Sequence, residues 1–174
     1  MQNKHTDDFT PLGDILVTSI EKIESAYMNK GQVTGIATGF IDLDYRTAGL
    51  QPSDLVLVAA RPSMGKTAFA LNVAQSAAIK HGKKVAIFSL EMSKEQLVNR
   101  MLCAEAMVDA QKMRTGTLEN EDWKKIAAAI GPLSEASIYI DDTPGINIVE
   151  MRAKCRRLKL EHGLDFILID YLQL

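Results

Sequence analysis

Between residues 12 and 27, Leu12, Ile15, Leu16, Ile20, Ile23 and Tyr27 recur at spacings of three and four. That period gathers them into one apolar stripe on a helix. Residues 29–32, with Gly31 among them, end it. A narrow stripe before a glycine-containing tether favours docking on a neighbouring subunit over docking on the helix's own domain. Residues 1–8 are polar and read as a disordered start. Residues 34–52 are loop-rich, with Thr38 or Gly39 placed to cap a short helix through Leu43 and Gly49 placed to stop it. Beyond them the pattern alternates. Apolar runs at 55–59, 85–90, 137–140 and 165–169 read as strands. The first is apolar on both faces, which predicts a central strand of a parallel sheet. Between the runs lie helices. Residues 67–81 are apolar nearly all round and are closed by Gly82. A second helix starts at the capping-box pair Ser93 and Gln96, turns Leu97, Met101, Leu102 and Ala104 inward and carries Arg100. Residues 112–116 read as a connector. Asn120, Glu121 and Asp122 open a helix with Trp123, Ile126 and Ile130 on one side, and Asn147 with Glu150 opens another that runs to Glu161. Strands that alternate with helices imply βαβ units, hence an α/β fold with a parallel sheet and helices on both faces. Ligands of such sheets bind beyond the C-terminal strand ends.

At one of those ends stands VLVAARPSMGKT, residues 56–67. A Gly-Lys-Thr triplet between strand and helix is the context of a phosphate-binding loop. The loop through Arg61, Pro62, Ser63, Met64 and Gly65 would turn main-chain N–H groups onto an anion. The helix that follows, from Lys66 through Thr67 and Ala68, adds its unsatisfied donors and the positive end of its dipole. Lys66 would reach the β- and γ-phosphates, and the Thr67 hydroxyl would ligate Mg²⁺. The generic pattern opens with glycine where this chain has Ala60, which fits only if φ there is negative. Phosphoryl transfer needs clamped phosphates, a bridging metal and an oriented nucleophile. Asp170, after four apolar residues, suits the acidic partner of the metal; alone it would read as a loop-entry aspartate. Glu91, at the tip of the second strand, suits a general base holding a water. The plainer reading of Glu91 is a carboxylate favoured by the dipole of the next helix. The residue after Asp170 is Tyr171 rather than a glutamate, which leaves Glu91 the better base.

Composition adds bounds. The chain has 174 residues, 47% hydrophobic and 24% charged, with net charge −2. That is an ordinary globular balance, and it argues against a surface that is wholly a nucleic-acid footprint. The basic run Arg152, Lys154, Arg156, Arg157 and Lys159 reads first as a solvated helix face and second as a DNA contact. Cys103 and Cys155 are far apart and read as buried reduced thiols. No apolar run is long enough to span a membrane, and the histidines have no metal-site spacing.

Taken together, TGFIDLD, AARPSMGKTAFALN, FSLEMS, RAKCRRLK and ILIDYLQL resemble the C-terminal ATPase domain of the bacterial replicative DNA helicases, the DnaB family, over roughly residues 12–174. That family itself writes alanine at the position of Ala60. The resemblance implies a RecA-like P-loop NTPase fold preceded by an amphipathic linker helix. It also implies a ring-shaped homohexamer and Mg²⁺-dependent ATP hydrolysis driving 5′→3′ movement on single-stranded DNA. Primase and a helicase loader are the implied partners, and the location is cytoplasmic. Lys66 and Thr67 become the phosphate and Mg²⁺ ligands. Glu91 becomes the catalytic glutamate, Asp170 the metal aspartate, and Arg100 an arginine near the nucleotide. The expected division is a disordered start and linker helix at 1–33, then part of the ATPase domain at 34–174. The family's N-terminal helical domain, DNA-binding loops, sensor glutamine and trans-acting arginine have no counterpart, and Gln173 does not replace the sensor. A fragment without that arginine is expected to bind Mg-nucleotide weakly and to hydrolyse it slower by roughly 10³–10⁵-fold. It is expected to bind single-stranded DNA poorly. Three other readings share the phosphate loop: another RecA-like motor such as a recombinase, a small-molecule kinase, and an interaction module ordered by nucleotide.

Overall fold

The computed structural model describes residues 10–28 and 33–171. The expected polar start, the tether at 29–32 and Gln173 lie outside them. The first helix, α1, spans Leu12–Met28 and buries none of its residues. Leu12, Ile15, Leu16, Ile20 and Ile23 are all exposed, so the stripe exists but does not pack on the described part of its own chain.

The next segment folds back on itself through an antiparallel bridge between Ile36 and Leu50 around α2, Ile41–Thr47. Neither Thr38 nor Gly39 caps that helix. Thr38 instead donates its N–H and its hydroxyl to Asp44 Oδ1 at 2.8 and 2.7 Å, and the Gly39 N–H donates to Oδ2 at 3.1 Å. Gly39 sits at φ 88° against Ser76, where a Cβ would overlap the serine side chain. Phe40 stacks on Phe69 with centroids 5.1 Å apart, which fastens this segment to the helix behind the phosphate loop.

That helix, α3, runs Lys66–Gln75 and continues as a π-helical turn, Ser76–Lys80. Leu71, Val73, Ala74, Ala77 and Ala78 are buried, as its all-round apolar pattern requires. Then follow β1 (Val85–Ser89), α4 (Lys94–Ala106), α5 (Ala110–Thr115), α6 (Asn120–Glu135), β2 (Ile138–Asp141), α7 (Ile148–Glu161) and β3 (Phe166–Asp170). The three strands form one parallel sheet in the order β2-β1-β3. Successive β1 side chains face opposite sides. Val85 and Ile87 meet Leu71, Ala74 and Ala77 of the α3 segment, Leu97 and Met101 of α4, and Leu168 of β3. Ala86 and Phe88 meet Met151, Cys155 and Leu158 of α7. Helices therefore cover both faces, and all of β1 is buried.

The structure corrects the sequence reading in four further places. Residues 55–59 form no strand. Leu55, Val56, Leu57 and Val58 are 81, 55, 71 and 46% exposed, and no backbone hydrogen bond joins residues 55–60 to another described segment. An apolar run states what a strand would bury, but a strand also needs a neighbour's edge. The central position belongs to β1. The supposed connector at 112–116 is most of α5, N-capped by Asp109. On α4 Ala104 is exposed and Ala106 buried. On α6 the inward face holds Asp122, Ile126 and Ala129, while Trp123 and Ile130 are 58 and 53% exposed. The reason is the end of α4 and the residues just after it, which offer Ala106 and Val108 to that face.

Candidate nucleotide site

The phosphate loop lies beyond the C-terminal ends of the strands and opens to solvent, with Arg61, Pro62, Ser63, Met64 and Gly65 all exposed. Its shape rests on two left-handed residues, Ser63 at φ 65° and Gly65 at φ 87°. At Gly65 nothing would obstruct a Cβ, so glycine suits the conformation rather than the space. Ala60 is not among the positive-φ residues, which meets the condition for alanine there. The Met64 N–H turns back to the Arg61 carbonyl at 3.3 Å, and the Phe69 N–H takes the Gly65 carbonyl at 2.9 Å as the first helical bond. The N–H groups of Lys66, Thr67 and Ala68 precede it and are left for a ligand.

Asp170 ends β3 opposite Ser89, the last residue of β1. It lies two residues after Leu168 and so faces the α3 side of the sheet. Its carboxylate is almost wholly buried and is claimed twice from the phosphate loop. The Thr67 hydroxyl donates to Oδ2 at 2.6 Å. Lys66 Nζ lies 3.1 Å from Oδ1 and 4.4 Å from the centroid of the Tyr171 ring. Residues 103 positions apart thus meet at the tip of one strand.

Glu91 stands just past the end of β1. The Leu90 N–H donates to the Asp170 carbonyl at 2.8 Å, so the two strand tips are joined next to it. The Glu91 side chain is exposed and has no hydrogen bond or ion pair among the described residues. Arg100 lies on the exposed face of α4 and likewise makes no such contact. The structure therefore brings Lys66, Thr67 and Asp170 together, sets Glu91 on the adjoining tip, and leaves Arg100 apart from their contacts.

Three residues of this region carried no sequence signal. Tyr171 was notable only for not being glutamate. Ser89 looked like any polar residue at a strand end. Asp142 stands just after β2, where its Oδ2 accepts the Lys94 N–H at 3.0 Å, and that bond holds its carboxyl below the usual range.

The donor set suits Mg²⁺ with a nucleoside triphosphate. A hydroxyl and a carboxylate on adjoining elements can share a small hard cation that takes its remaining ligands from phosphate and water. Lys66 and the helix N-terminus supply the positive charge for the phosphates. No group of three or more His, Cys, Asp or Glu side chains among the described residues could hold a metal unaided.

A parallel sheet covered by helices on both faces, with Lys66 and Thr67 of the loop-helix junction meeting Asp170 at the tip of β3, defines an α/β domain of the RecA-like kind. Residues 35–174 match the DnaB-like helicase C terminal domain, and the chain belongs to that family. It is 60% identical over 173 residues to the replicative DNA helicase DnaC of Bacillus subtilis, and 59% identical to the replicative DNA helicase DnaB of Geobacillus stearothermophilus. Each alignment takes in 99% of this chain but 38% of the relative, so the chain spans under two fifths of their length. Among solved structures, an ATPase domain superposes with a TM-score of 0.86 at 38% identity, over 95% of this chain and 58% of that one. A DnaB-like replicative helicase, described with its interactions with primase, superposes with a TM-score of 0.82 at 37% identity, over 94% of this chain and 39% of that one.

Proposed function

We propose that this chain is part of the motor domain of an ATP-dependent replicative DNA helicase, with Mg-ATP as its ligand. The observation that carries the reading is the convergence of Lys66 and Thr67 on the Asp170 carboxylate, at 3.1 and 2.6 Å. Main-chain donors from Arg61 to Ala68, Pro62 and the engaged Met64 excepted, would grip the phosphates, and Lys66 would offset charge on the γ-phosphate. Thr67 and Asp170 would hold Mg²⁺, which would supply positive charge to offset that of the phosphates. Glu91, with no other partner among the described residues, orients a water and takes its proton. Arg100 is the least supported of these roles, resting on resemblance alone.

The wider assignment follows from kinship with replicative helicases. The intact protein works as a homohexamer that moves 5′→3′ on single-stranded DNA, with primase and a loader as partners, in the cytoplasm. No described helix is long and apolar enough to cross a membrane. The exposed stripe of α1 supports a linker helix that docks on the adjacent subunit. Residues 34–174 are part of a RecA-like domain whose sheet is completed from outside this chain. The unpaired apolar run at 55–59 and the 38% coverage of the relatives support that reading.

The test uses the intact protein. Glu91→Gln should leave nucleotide affinity near wild type while hydrolysis falls by about 10²–10⁴-fold. Lys66→Ala should weaken nucleotide binding by roughly 10- to 100-fold, the loss of one charge-assisted contact. Hydrolysis at the wild-type rate in Glu91→Gln would remove Glu91 from its role. Unchanged affinity in Lys66→Ala would remove the site.

A further inference from the structure

The residues on either side of Glu91 are tied down far more closely than its exposed position requires. Ser89 is buried at the end of β1, 2% exposed. Its hydroxyl donates to the Met92 carbonyl at 2.7 Å and accepts the Met92 N–H at 3.1 Å. One side chain thereby closes residues 89–92 into a turn that contains Glu91. The Leu90 N–H is fixed to the Asp170 carbonyl at 2.8 Å. On the far side Ser93 and Gln96 complete a capping box. One residue further, Asp142 accepts the Lys94 N–H at 3.0 Å and faces Lys94 Nζ at 3.6 Å. Met92 packs against the core between α3 and α4. The Glu91 carboxylate alone takes no part.

We propose that Ser89 and Asp142 are positioning residues for Glu91. They hold the strand-to-helix turn so that its carboxylate stands just past the tip of β1, next to the tip that carries Asp170, with its oxygens unengaged among the described residues. The inference rests on the reading of Glu91 as the group that orients the attacking water. Its physical basis is that a general base must be held within hydrogen-bond reach of the water it deprotonates. A side chain on a loose turn would spend most of its time elsewhere. Ser89 fixes the turn from the strand side. Asp142, just past the end of β2, fixes it from the helix side. The bond from Leu90 to Asp170 then ties the turn to the metal aspartate, so the base and the metal partner share one frame.

The experiment measures ATP hydrolysis by the intact protein, as kcat and KM, for wild type, Ser89→Ala, Asp142→Ala, Glu91→Gln and the two double variants that contain Glu91→Gln. Action through Glu91 predicts that Ser89→Ala and Asp142→Ala each lower kcat by about 10- to 100-fold with KM within about twofold. Neither should lower it further in the Glu91→Gln background, because coupled residues are not additive. A merely structural role predicts losses that multiply in full on that background, and this would overturn the proposal. So would wild-type kcat in both single variants beside a collapsed Glu91→Gln. If Ser89→Ala proves insoluble, Asp142→Ala gives the same readout from a partly exposed site. Wild-type kcat in Glu91→Gln would overturn the reading of Glu91, and the positioning roles with it.

Discussion

Asp44 shows how much one buried carboxylate can organise. It accepts the Thr38 N–H, the Thr38 hydroxyl and the Gly39 N–H, and both Thr38 and Asp44 are buried. Asp44→Ala would leave those donors without partners, and each orphaned buried group costs about 1–3 kcal/mol. A loss of about 3 kcal/mol in urea-unfolding free energy is expected. A loss below about 1 kcal/mol would mean that water replaces the carboxylate. The same segment shows where single residues escape sequence reading. Thr38 and Gly39 read as helix caps because they precede a short helical pattern. Their partner stands five or six positions on, inside the helix, and no periodicity marks it. Lys66, Thr67 and Asp170 were legible as candidates because phosphate chemistry favours those residue types at those places after apolar runs. Ser89 and Asp142 were not, because a serine hydroxyl or a carboxylate that bonds main chain can stand in any turn.

Among the elements, α5 and α6 are joined by Asp122. Its carboxylate accepts the Glu119 N–H at 3.1 Å and Lys112 Nζ at 3.0 Å. The Glu119 bond, then the Lys112 bond, hold its carboxyl below the usual range, and the Asp122 bond raises the Lys112 ammonium. A depressed carboxyl adds stability that is present above its unfolded pKa and lost as pH falls through the folded one. A raised ammonium adds stability that is present below its ordinary pKa and lost as pH rises through the folded one. The pair therefore supports the fold at neutral pH and fails in acid. Asp122→Asn should lower Tm at pH ~7 and shrink its difference from wild type toward pH ~3, below the usual aspartate value. An equal difference in Tm at both pH values would assign the effect to packing. The face of α6 that carries Asp122 was misjudged from sequence. Trp123, Ile126 and Ile130 lie close enough around a helix to share a side. Which edge of that side is buried depends on what stands opposite, and Ala106 and Val108 stand opposite Ile126 and Ala129.

Across the described residues, the sheet is paired on both sides of β1, and the first apolar run stays outside it. β1 is flanked by β2 and β3, whereas residues 55–60 run unpaired into the phosphate loop. Backbone amides without partners exchange at the rates of open chain, and paired core strands exchange slowest. In the 174-residue chain, amides 56–60 should exchange within seconds while those of β1 remain protected. In the intact protein the same amides should become protected, if strands from outside this chain complete the sheet. Hydrogen-exchange mass spectrometry on both would decide it. Equally fast exchange in the intact protein would mean that the run is a true loop.

Period and residue type alone marked β1 to β3, the helices other than α5, the capping of α4, and the candidate phosphate loop with the acid that answers it. Those features are local, or are dictated by the ligand's chemistry, so each leaves its mark within a few residues. The tertiary structure alone decided which apolar run is central, which face of α6 is inward, and that Thr67 and Asp170 meet across 103 positions. It also decided that Ser89 and Asp142 bracket Glu91. An apolar stretch records only its need for cover. The edge, helix or carboxylate that meets the need is chosen by competition among distant segments, which no short window of sequence contains.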